Sequence, residues 1–213
     1  MKRTILIIVL AFFASAGAFV NFLLSPERAE SIEERIARLE PSLEVFEPET
    51  EGPHPFVILV HGCGGLVGTH GKKDVLTNYA LVAQASGYRV IIVDSFAPRG
   101  ISFETAISQV CSGMKLRGRT RAGDVLAAYE YALSLPNTHV EGHVIAGWSH
   151  GGWTVMELMT MDLTRTGPTS LTDYQDIELT GLSGVYLTYP YCGFPATSHK
   201  RSLSSPLVMG QLA

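Results

Sequence analysis

Short, unbroken runs of apolar residues recur from residue 56 to the end of the chain, and they constrain its fold more than any other feature. The runs are rich in β-branched residues and do not alternate with polar ones, which is typical of strands buried on both faces. They are FVILV at 56–60, RVIIV at 89–93, HVIAG at 143–147, GVYLTYP at 184–190 and PLVMG at 206–210.

Segments with helical spacing lie between these runs. They cover 74–86, 120–135 and 149–163, and the first two end next to Gly87 and Pro136, residue types that commonly stop helices. This alternation predicts an α/β fold with a doubly wound, mostly parallel sheet and helices on both faces. In such a sheet the ligand site lies beyond the C-terminal ends of the strands, so the residues that follow each strand should carry the chemistry.

The chain has 213 residues, of which 46% are apolar and 17% are charged, and its formal net charge is −4. This length predicts one domain with a substantial core. Because no long run of either charge occurs, the composition does not support binding to nucleic acid or to an anionic membrane surface. The predicted organisation is a targeting segment over 1–24, a linker or short helix over 25–50, and the α/β domain over 51–213.

The N-terminus has the pattern of a targeting segment. Lys2 and Arg3 precede an uncharged stretch over 4–24, which is most apolar at 5–13 and has small residues at 14–18. This pattern predicts a secretory signal peptide cleaved after Ala16 or Ala18. An uncleaved membrane anchor over 4–24 is the alternative, since about 20 apolar residues span a bilayer. Both interpretations place the domain outside the cytoplasm, in the periplasm or secreted, and only an uncleaved segment would contact a membrane.

The apolar run at 143–147 leads directly into the sequence Gly147-Trp148-Ser149-His150-Gly151-Gly152. Gly-x-Ser-x-Gly between a strand and a helix is the nucleophile-elbow motif. The glycines two residues before and after the serine avoid steric clashes in a sharp turn, and the helix start favours developing negative charge. We therefore predict that Ser149 is a nucleophile.

A second glycine-rich turn, HGCGG at 61–65, follows the first apolar run. A His-Gly-x-Gly turn after an early strand supplies backbone N–H groups to an oxyanion hole. We expect the two donors to be the N–H groups of Cys63 and His150, and we expect Gly62 and Gly64 to contact the substrate.

Several motifs, taken together, make the region from about residue 56 onward similar to the dienelactone hydrolase family of α/β-hydrolases. The resemblance implies hydrolysis of a carboxylic ester or lactone, as a small-molecule substrate, through an acyl-enzyme and without a cofactor. Because the best-known members carry cysteine where Ser149 stands, the chain resembles a serine-bearing branch. The motifs are VILVHGCGG at 57–65, GYRVIIVDSFAPRG at 87–100, Arg121-x-x-Asp124, IAGWSHGG at 145–152 and LTYPYCG at 187–193.

The resemblance also implies a triad in the order Ser, acid, His, with the acid after the next strand and the histidine one strand later. Only residues 211–213 follow the last apolar run. We therefore expect the chain to be incomplete at its C-terminus, lacking the last strand or strands, with the acid and histidine downstream. The alternative is a catalytically inactive α/β-hydrolase-like protein that binds a small ligand or a partner. A sheet that stops at 206–210 would expose an edge strand prone to pairing with another chain.

Among the seven histidines, only His199 lies in a loop at the functional end and could substitute for a missing base. His61 is expected to pack under its turn, and the side chain of His150 is expected to point away from the site. His139 and His143 precede a strand, so they should lie at the opposite end of the sheet.

Charged residues near the predicted site have less specific roles. Asp94 is expected to cap the loop at 95–100, through hydrogen bonds to its backbone. Arg99 either pairs with a substrate carboxylate or is a solvated loop arginine. Asp124 is expected to pair with one arginine of the basic run at 117–121.

Aromatic residues flank the predicted site on two strands. Tyr189 and Tyr191 lie at a strand end, where they either line the substrate pocket or pack. Trp148 and Trp153 flank the elbow and are expected to belong to the core.

The three cysteines, Cys63, Cys111 and Cys192, would meet an oxidising compartment. The preferred disulfide joins Cys111 to Cys192, because Cys63 is placed in a glycine turn, and three small buried thiols are the alternative. No clustered spacing typical of metal ligands occurs, so neither a metal nor a cofactor is expected.

Overall fold

The computed structural model describes residues 27–161, 163, 167, 170–191 and 207–210. The signal peptide or anchor predicted over 1–24 lies outside these residues, as do His199 and Cys192. Within the described ranges, no helix is both long enough and apolar enough to cross a membrane.

The centre of the molecule is a six-stranded mixed sheet with strand order β1-β5-β2-β6-β7-β8. Every neighbouring pair is parallel except β1 with β5. A separate two-stranded hairpin pairs β3 with β4. The strands are β1 (Leu43–Phe46), β2 (Phe56–Val60), β3 (Val67–Gly68), β4 (Gly71–Lys72), β5 (Arg89–Val93), β6 (His143–Trp148), β7 (Leu182–Thr188) and β8 (Leu207–Gly210).

Four helices of eight residues or more accompany the sheet in the described part of the chain. Shorter helical turns occur at Glu40–Ser42, Ala97–Arg99, Phe103–Thr105, Ala106–Val110 and Tyr174–Asp176. The longer helices are α1 (Ile32–Leu39), α2 (Val75–Ala85), α3 (Gly118–Ser134) and α4 (His150–Thr160).

The two faces of the sheet form two separate apolar cores, as strands without polar alternation require. Alternate residues of β2, such as Ile58 and Val60, face α3 and α4 in the larger core. The residues between them, Val57 and Leu59, pack with α2 in the smaller core. The prediction of a doubly wound, mostly parallel α/β sheet is therefore confirmed. The five strands expected from apolar runs are all present: two have the expected ends, and the ends of the other three differ by one or two residues.

Residues 25–50 contain more than the predicted linker or short helix. The short helix is present as α1, where Ser31 forms a capping box with Glu34. After it, β1 adds an antiparallel edge to the sheet through its pairing with β5. This strand was not predicted, because LEVF is only four residues long and carries a charge.

A buried cluster of charges fastens α1 to the rest of the domain. The Asp124 carboxylate on α3 accepts from Arg35 of α1 at 2.6 Å, and from both terminal nitrogens of Arg99 at 2.9 Å. Arg99 also pairs with Glu27, which precedes α1. Burial raises the pKa of Asp124, but Arg99 and Arg35 outweigh it and lower that pKa to about 2.

The strand β8 lies at one edge of the sheet, and among the described residues it pairs only with β7. Its outer side therefore presents unpaired backbone groups within the described structure. The expectation that this edge pairs with another chain stays a prediction.

Candidate active site

Ser149 lies at a sharp turn between β6 and α4. Its backbone angles, φ 52° and ψ −115°, fall in a region that non-glycine residues rarely occupy. Three backbone hydrogen bonds of 3.0 Å hold this conformation: its N–H donates to Thr188, and its carbonyl accepts from Trp153 and Tyr191. The strained turn predicted by the Gly-x-Ser-x-Gly motif is thus present at this serine.

The glycines around Ser149 are required by close approaches of backbone. A Cβ atom on Gly147 would lie 2.5 Å from the carbonyl oxygen of Gly151. One on Gly151 would lie 2.2 Å from the carbonyl oxygen of Val60 and 2.6 Å from that of His61. A side chain at Gly147 would therefore open the elbow itself, and one at Gly151 would force the elbow away from β2.

The turn at 61–65 lies directly beside Ser149, because β2 and β6 are adjacent parallel strands with Val60 paired to Gly147. A Cβ atom on Gly62 would lie 3.3 Å from the Ser149 Cβ and 3.9 Å from its Oγ. The turn closes through a hydrogen bond from the Gly65 N–H to the Gly62 carbonyl at 3.2 Å, with Gly65 at φ 67°. The two glycine-rich turns singled out in the sequence therefore meet at one point of the sheet.

Both amides expected to act as oxyanion donors are free of protein acceptors in the described part of the chain. The Cys63 N–H takes part in no backbone hydrogen bond there. The N–H of His150, the first residue of α4, has no partner within its own helix, which is usual for a helix start. These N–H groups, close to Ser149, could donate hydrogen bonds to a negatively charged oxygen.

A cavity of about 160 Å³ opens at this point. Gly62, Gly64 and Tyr189, which we expected to contact the substrate, are among its lining residues together with Ser149. The other lining residues are His61, Gly65, Leu66, Lys73, Val75, Leu76 and Trp148.

Arg99 does not belong to this cavity, and neither role considered for it in the sequence is correct. Its side chain is 9% exposed and its guanidinium is bound to Glu27 and Asp124, so it is neither solvated nor available to a substrate carboxylate. The expected pairing of Asp124 with the basic run at 117–121 is wrong for the same reason. Sequence proximity was misleading here, since the partners Arg35 and Arg99 reach Asp124 from other elements.

His61 and His150 are both buried and uncharged. Burial, followed by the charge of Arg121, lowers the pKa of each well below the usual range. His61 Nδ1 lies 2.7 Å from the Gly62 carbonyl and its Nε2 accepts from the Ser95 N–H at 3.3 Å, which assigns the proton to Nδ1. His61 is therefore packed under its turn as expected, and both of its ring nitrogens are engaged, so it is not a general base for Ser149.

The observed disulfide joins Cys63 to Cys111, and the predicted Cys111–Cys192 pair is therefore wrong. The sulfur–sulfur distance is 1.98 Å and the Cα atoms are 5.0 Å apart. A glycine turn did not exclude Cys63 from bonding, because the segment that follows Phe103–Thr105 folds back over the turn. The candidate oxyanion turn is thus covalently tied to that segment.

The remaining expectations for side chains near the site are met in part. Asp94 caps its loop, since its Oδ1 accepts from the N–H groups of Phe96 and Ala97 at 2.8 and 3.1 Å. Trp148 and Trp153 are buried, with exposures of 7% and 1%. Trp148 also lines the cavity, a role that its place in the motif did not reveal.

Two polar residues of the site were not singled out from the sequence as such. Lys73 Nζ donates to the carbonyl of Gly64 at 2.7 Å and lines the cavity beside Ser149. Arg121, which the sequence showed only in a basic run and in the Arg121-x-x-Asp124 motif, contacts both turns from beneath. Neither signal assigned it a place in the site, since both Lys73 and Arg121 reach the site from elements separate from the strands that carry it.

No described side chain forms a hydrogen bond with the Ser149 hydroxyl. Within the same ranges, no group of three or more His, Cys, Asp or Glu residues is placed to hold a metal ion. The described site therefore consists of a strained serine, two free amides and a small, mostly apolar cavity.

The fold and the elbow define the class: the chain has an α/β-hydrolase fold. Its structure is similar to one assigned as a dienelactone hydrolase from Klebsiella pneumoniae subsp. pneumoniae, with a TM-score of 0.55 and 15% identity. The likeness covers 78% of this chain and 65% of that one. No family model matches the sequence.

Two curated sequences are also similar, both named "Probable dipeptidyl-aminopeptidase B". That of Fusarium vanettenii is 33% identical over 124 residues, and that of Grosmannia clavigera is 35% identical over 121 residues. The matches cover 56% and 57% of this chain but only 13% and 12% of those proteins. The similarity is therefore confined to a small part of each relative.

Proposed function

We propose that this chain carries the nucleophile and the oxyanion hole of a serine hydrolase acting on a small carboxylic ester or lactone. The observation that carries the proposal is the position of Ser149 at a strained turn, close to the N–H groups of Cys63 and His150, which have no protein acceptor in the described chain. The α/β-hydrolase fold supports the class of reaction, and the resemblance to dienelactone hydrolases supports the ester or lactone bond.

In the proposed reaction, the Ser149 oxygen attacks the carbonyl carbon and its proton passes to a general base. The carbonyl oxygen becomes negatively charged and accepts hydrogen bonds from the N–H groups of Cys63 and His150. The bond to the leaving alcohol then breaks, the alcohol oxygen takes the proton, and an acyl-Ser149 ester remains. Water cleaves this ester to release the acid. Loss of one such oxyanion donor typically slows the reaction about 10²–10³-fold.

The general base and its acid are proposed to lie downstream of residue 213. Two observations support this placement: the order Ser, acid, His of this fold, and the coverage of only 65% of the Klebsiella structure. None of the described histidines contacts Ser149, since the ring nitrogens of His61 are engaged elsewhere and His150 points toward Arg121.

A fluorophosphonate probe tests the proposal, because it reacts with activated serines and not with ordinary ones. We expect labelling of the protein that disappears in Ser149→Ala and persists in Ser102→Ala, a loop serine control. Mass spectrometry of the labelled peptide should identify Ser149. Labelling at another residue, or equal labelling of Ser149→Ala, would contradict the proposal.

The second candidate is a catalytically inactive protein that binds a small ligand in the same cavity. It is favoured by the absence of a described hydrogen-bond partner for the Ser149 hydroxyl. A folded protein that includes any sequence downstream of residue 213, and that the probe does not label, would support this alternative.

We further propose that the domain functions outside the cytoplasm. The pattern at 1–24 supports this, and so does the Cys63–Cys111 disulfide, because disulfides persist mainly in oxidising compartments. Fusion of residues 1–24 to a phosphatase that is active only after export should give active enzyme. An inactive, cytoplasmic fusion would refute the assignment.

A further inference from the structure

Arg121 is a fully buried cation on α3 that touches three separate segments around the candidate site. Its Nη2 donates to the His61 carbonyl at 3.0 Å, its Nη1 lies 3.0 Å from His150 Nδ1, and its Nε donates to Ser95 Oγ at 3.2 Å. The guanidinium thus bridges the turn at 61–65 and the start of α4 from below. Its three contacts use the fixed fork of donors that distinguishes arginine from lysine.

The contact with the His61 carbonyl sets the direction of the next amide. In a planar trans peptide the C=O and N–H groups point in opposite directions. Because Arg121 draws the His61 carbonyl inward, the Gly62 N–H must face away from the interior. The side chain of His61 acts on the next peptide group in the same manner. Its Nδ1 donates to the Gly62 carbonyl at 2.7 Å, so the Cys63 N–H points in the direction opposite to that carbonyl.

The contact with His150 fixes the other half of the site. Arg121 can only donate, so His150 Nδ1 is the acceptor and the imidazole proton is on Nε2. The side chain of His150 is held in the interior by this bond and by the ring of Trp153, whose centroid is 4.8 Å away. With its side chain anchored, the N–H at the start of α4 keeps one direction.

The charge of Arg121 is balanced without a direct ion pair. The Nε of Arg121 donates to Ser95 Oγ, and the charge of Asp124 acts on the guanidinium through space, with no ion pair between the two in the described structure. Burial lowers the pKa of Arg121 to about 10, which leaves it protonated at neutral pH. A buried arginine whose donors go to a carbonyl, an imidazole and a hydroxyl is arranged for orientation rather than for ion pairing.

We propose that Arg121 is a positioning residue that holds the His61 end of the first turn and the start of α4 in register. The Cys63 amide, which the His61 side chain orients, and the His150 amide then form one oxyanion hole. The inference rests on the proposed function. Arg121 hydrogen-bonds to both donor segments.

Hydrogen exchange of the folded protein tests this role without requiring activity. In Arg121→Lys, which keeps the charge but not the fork, amide exchange should become faster at both 61–65 and 149–152. Arg119→Lys is the matched control, since Arg119 lies on the same helix and donates to Gly167 away from the site. Unchanged exchange at the two turns in Arg121→Lys would overturn the proposal.

His150→Phe keeps Arg121 in place and separates the two contacts, should Arg121→Lys fold poorly. Exchange should then become faster at 149–152 and remain as in the wild type at 61–65. Equal loosening of both turns would show that Arg121 does not hold the first turn by itself, and would overturn the inference. Thermal unfolding of each variant confirms that the fold is intact.

The rate of Ser149 labelling by the fluorophosphonate links this positioning to chemistry. We expect Arg121→Lys to react about 10- to 100-fold more slowly, less than the full loss of a donor, and Arg119→Lys to react at the wild-type rate. Faster amide exchange at the two turns of Arg121→Lys, together with an unchanged rate of Ser149 labelling, would overturn the role of Arg121 in the oxyanion hole. If the wild type is not labelled, the proposed function fails, and the exchange data still decide whether Arg121 orders the two turns.

Discussion

At the scale of single residues, the site depends on where side chains are missing as much as on where they are present. Gly147 allows the two arms of the elbow to approach each other, and Gly151 allows the elbow to pack closely against the backbone of β2 and His61. Ser149 carries the backbone strain that this approach requires, at φ 52°. The strained conformation persists because the surrounding hydrogen bonds and packing leave the serine no alternative conformation.

Gly151→Ala should destabilise the fold by about 3 kcal/mol, because its Cβ would collide with two backbone carbonyls that cannot rotate away. Urea unfolding followed by circular dichroism measures the free energy of unfolding. Gly184→Ala is the matched control: it is also a buried glycine, and its Cβ would meet nothing closer than 3.5 Å. Equal effects of the two substitutions would contradict this account of the elbow.

At the scale of elements, the candidate oxyanion turn is held from several directions. The disulfide attaches Cys63 to the segment that ends near Cys111, Lys73 binds the Gly64 carbonyl, and Arg121 binds the His61 carbonyl. Each anchor comes from a different part of the chain. The turn contributes few side chains of its own, so its order depends on these external contacts.

Removal of the disulfide should both destabilise the protein and disorder this turn. For a sequence separation of 48, the chain-entropy model gives about 4 kcal/mol. Cys111→Ser should therefore lower the free energy of unfolding by about that amount and slow the labelling of Ser149. Cys192→Ser is the control and should retain wild-type stability. Equal destabilisation by Cys111→Ser and Cys192→Ser would instead support the Cys111–Cys192 pair.

At the scale of the whole molecule, the domain buries uncharged histidines and an ionised carboxylate in one interior. His61 and His150 remain neutral when folded, whereas in the unfolded chain each takes up a proton near pH 6.5. Asp124 behaves oppositely in its native state, because its ion pairs keep it charged down to about pH 2. Acid therefore acts on the fold in two stages.

The free energy of unfolding should fall as the pH drops below about 6.5, since the unfolded state then binds more protons than the native state. Each buried histidine contributes about 1.4 kcal/mol per pH unit to this slope. Asp124 adds a further loss between about pH 4, where it begins to protonate in the unfolded chain, and about pH 2. His150→Phe should remove the contribution of one proton from the pH dependence of the free energy of unfolding below about pH 6.5. Urea unfolding at several pH values measures this dependence. An unchanged slope would show that His150 is charged in the native state.

Much of the fold could be predicted from the sequence, because a strand buried on both faces requires a continuous run of apolar residues. The runs at 56–60 and 89–93 became strands with those bounds, and Gly87 ends α2 as expected. The strand β1 was missed because it is short and lies at the sheet edge, where one exposed charge is tolerated. The meeting of the two glycine turns followed from the rule that parallel strands end at the same edge of a sheet.

The strand–helix alternation, the elbow at Ser149 and the amide-rich turn at 61–65 could be predicted, since each depends on residues that are neighbours in the chain. The three-dimensional structure was needed to show which cysteines bond, where Arg99 points and which cation lies beneath the site. Those contacts join residues 25 to 89 positions apart. Residues so far apart in the chain are brought together only by the tertiary fold, and no local sequence pattern predicts their contact.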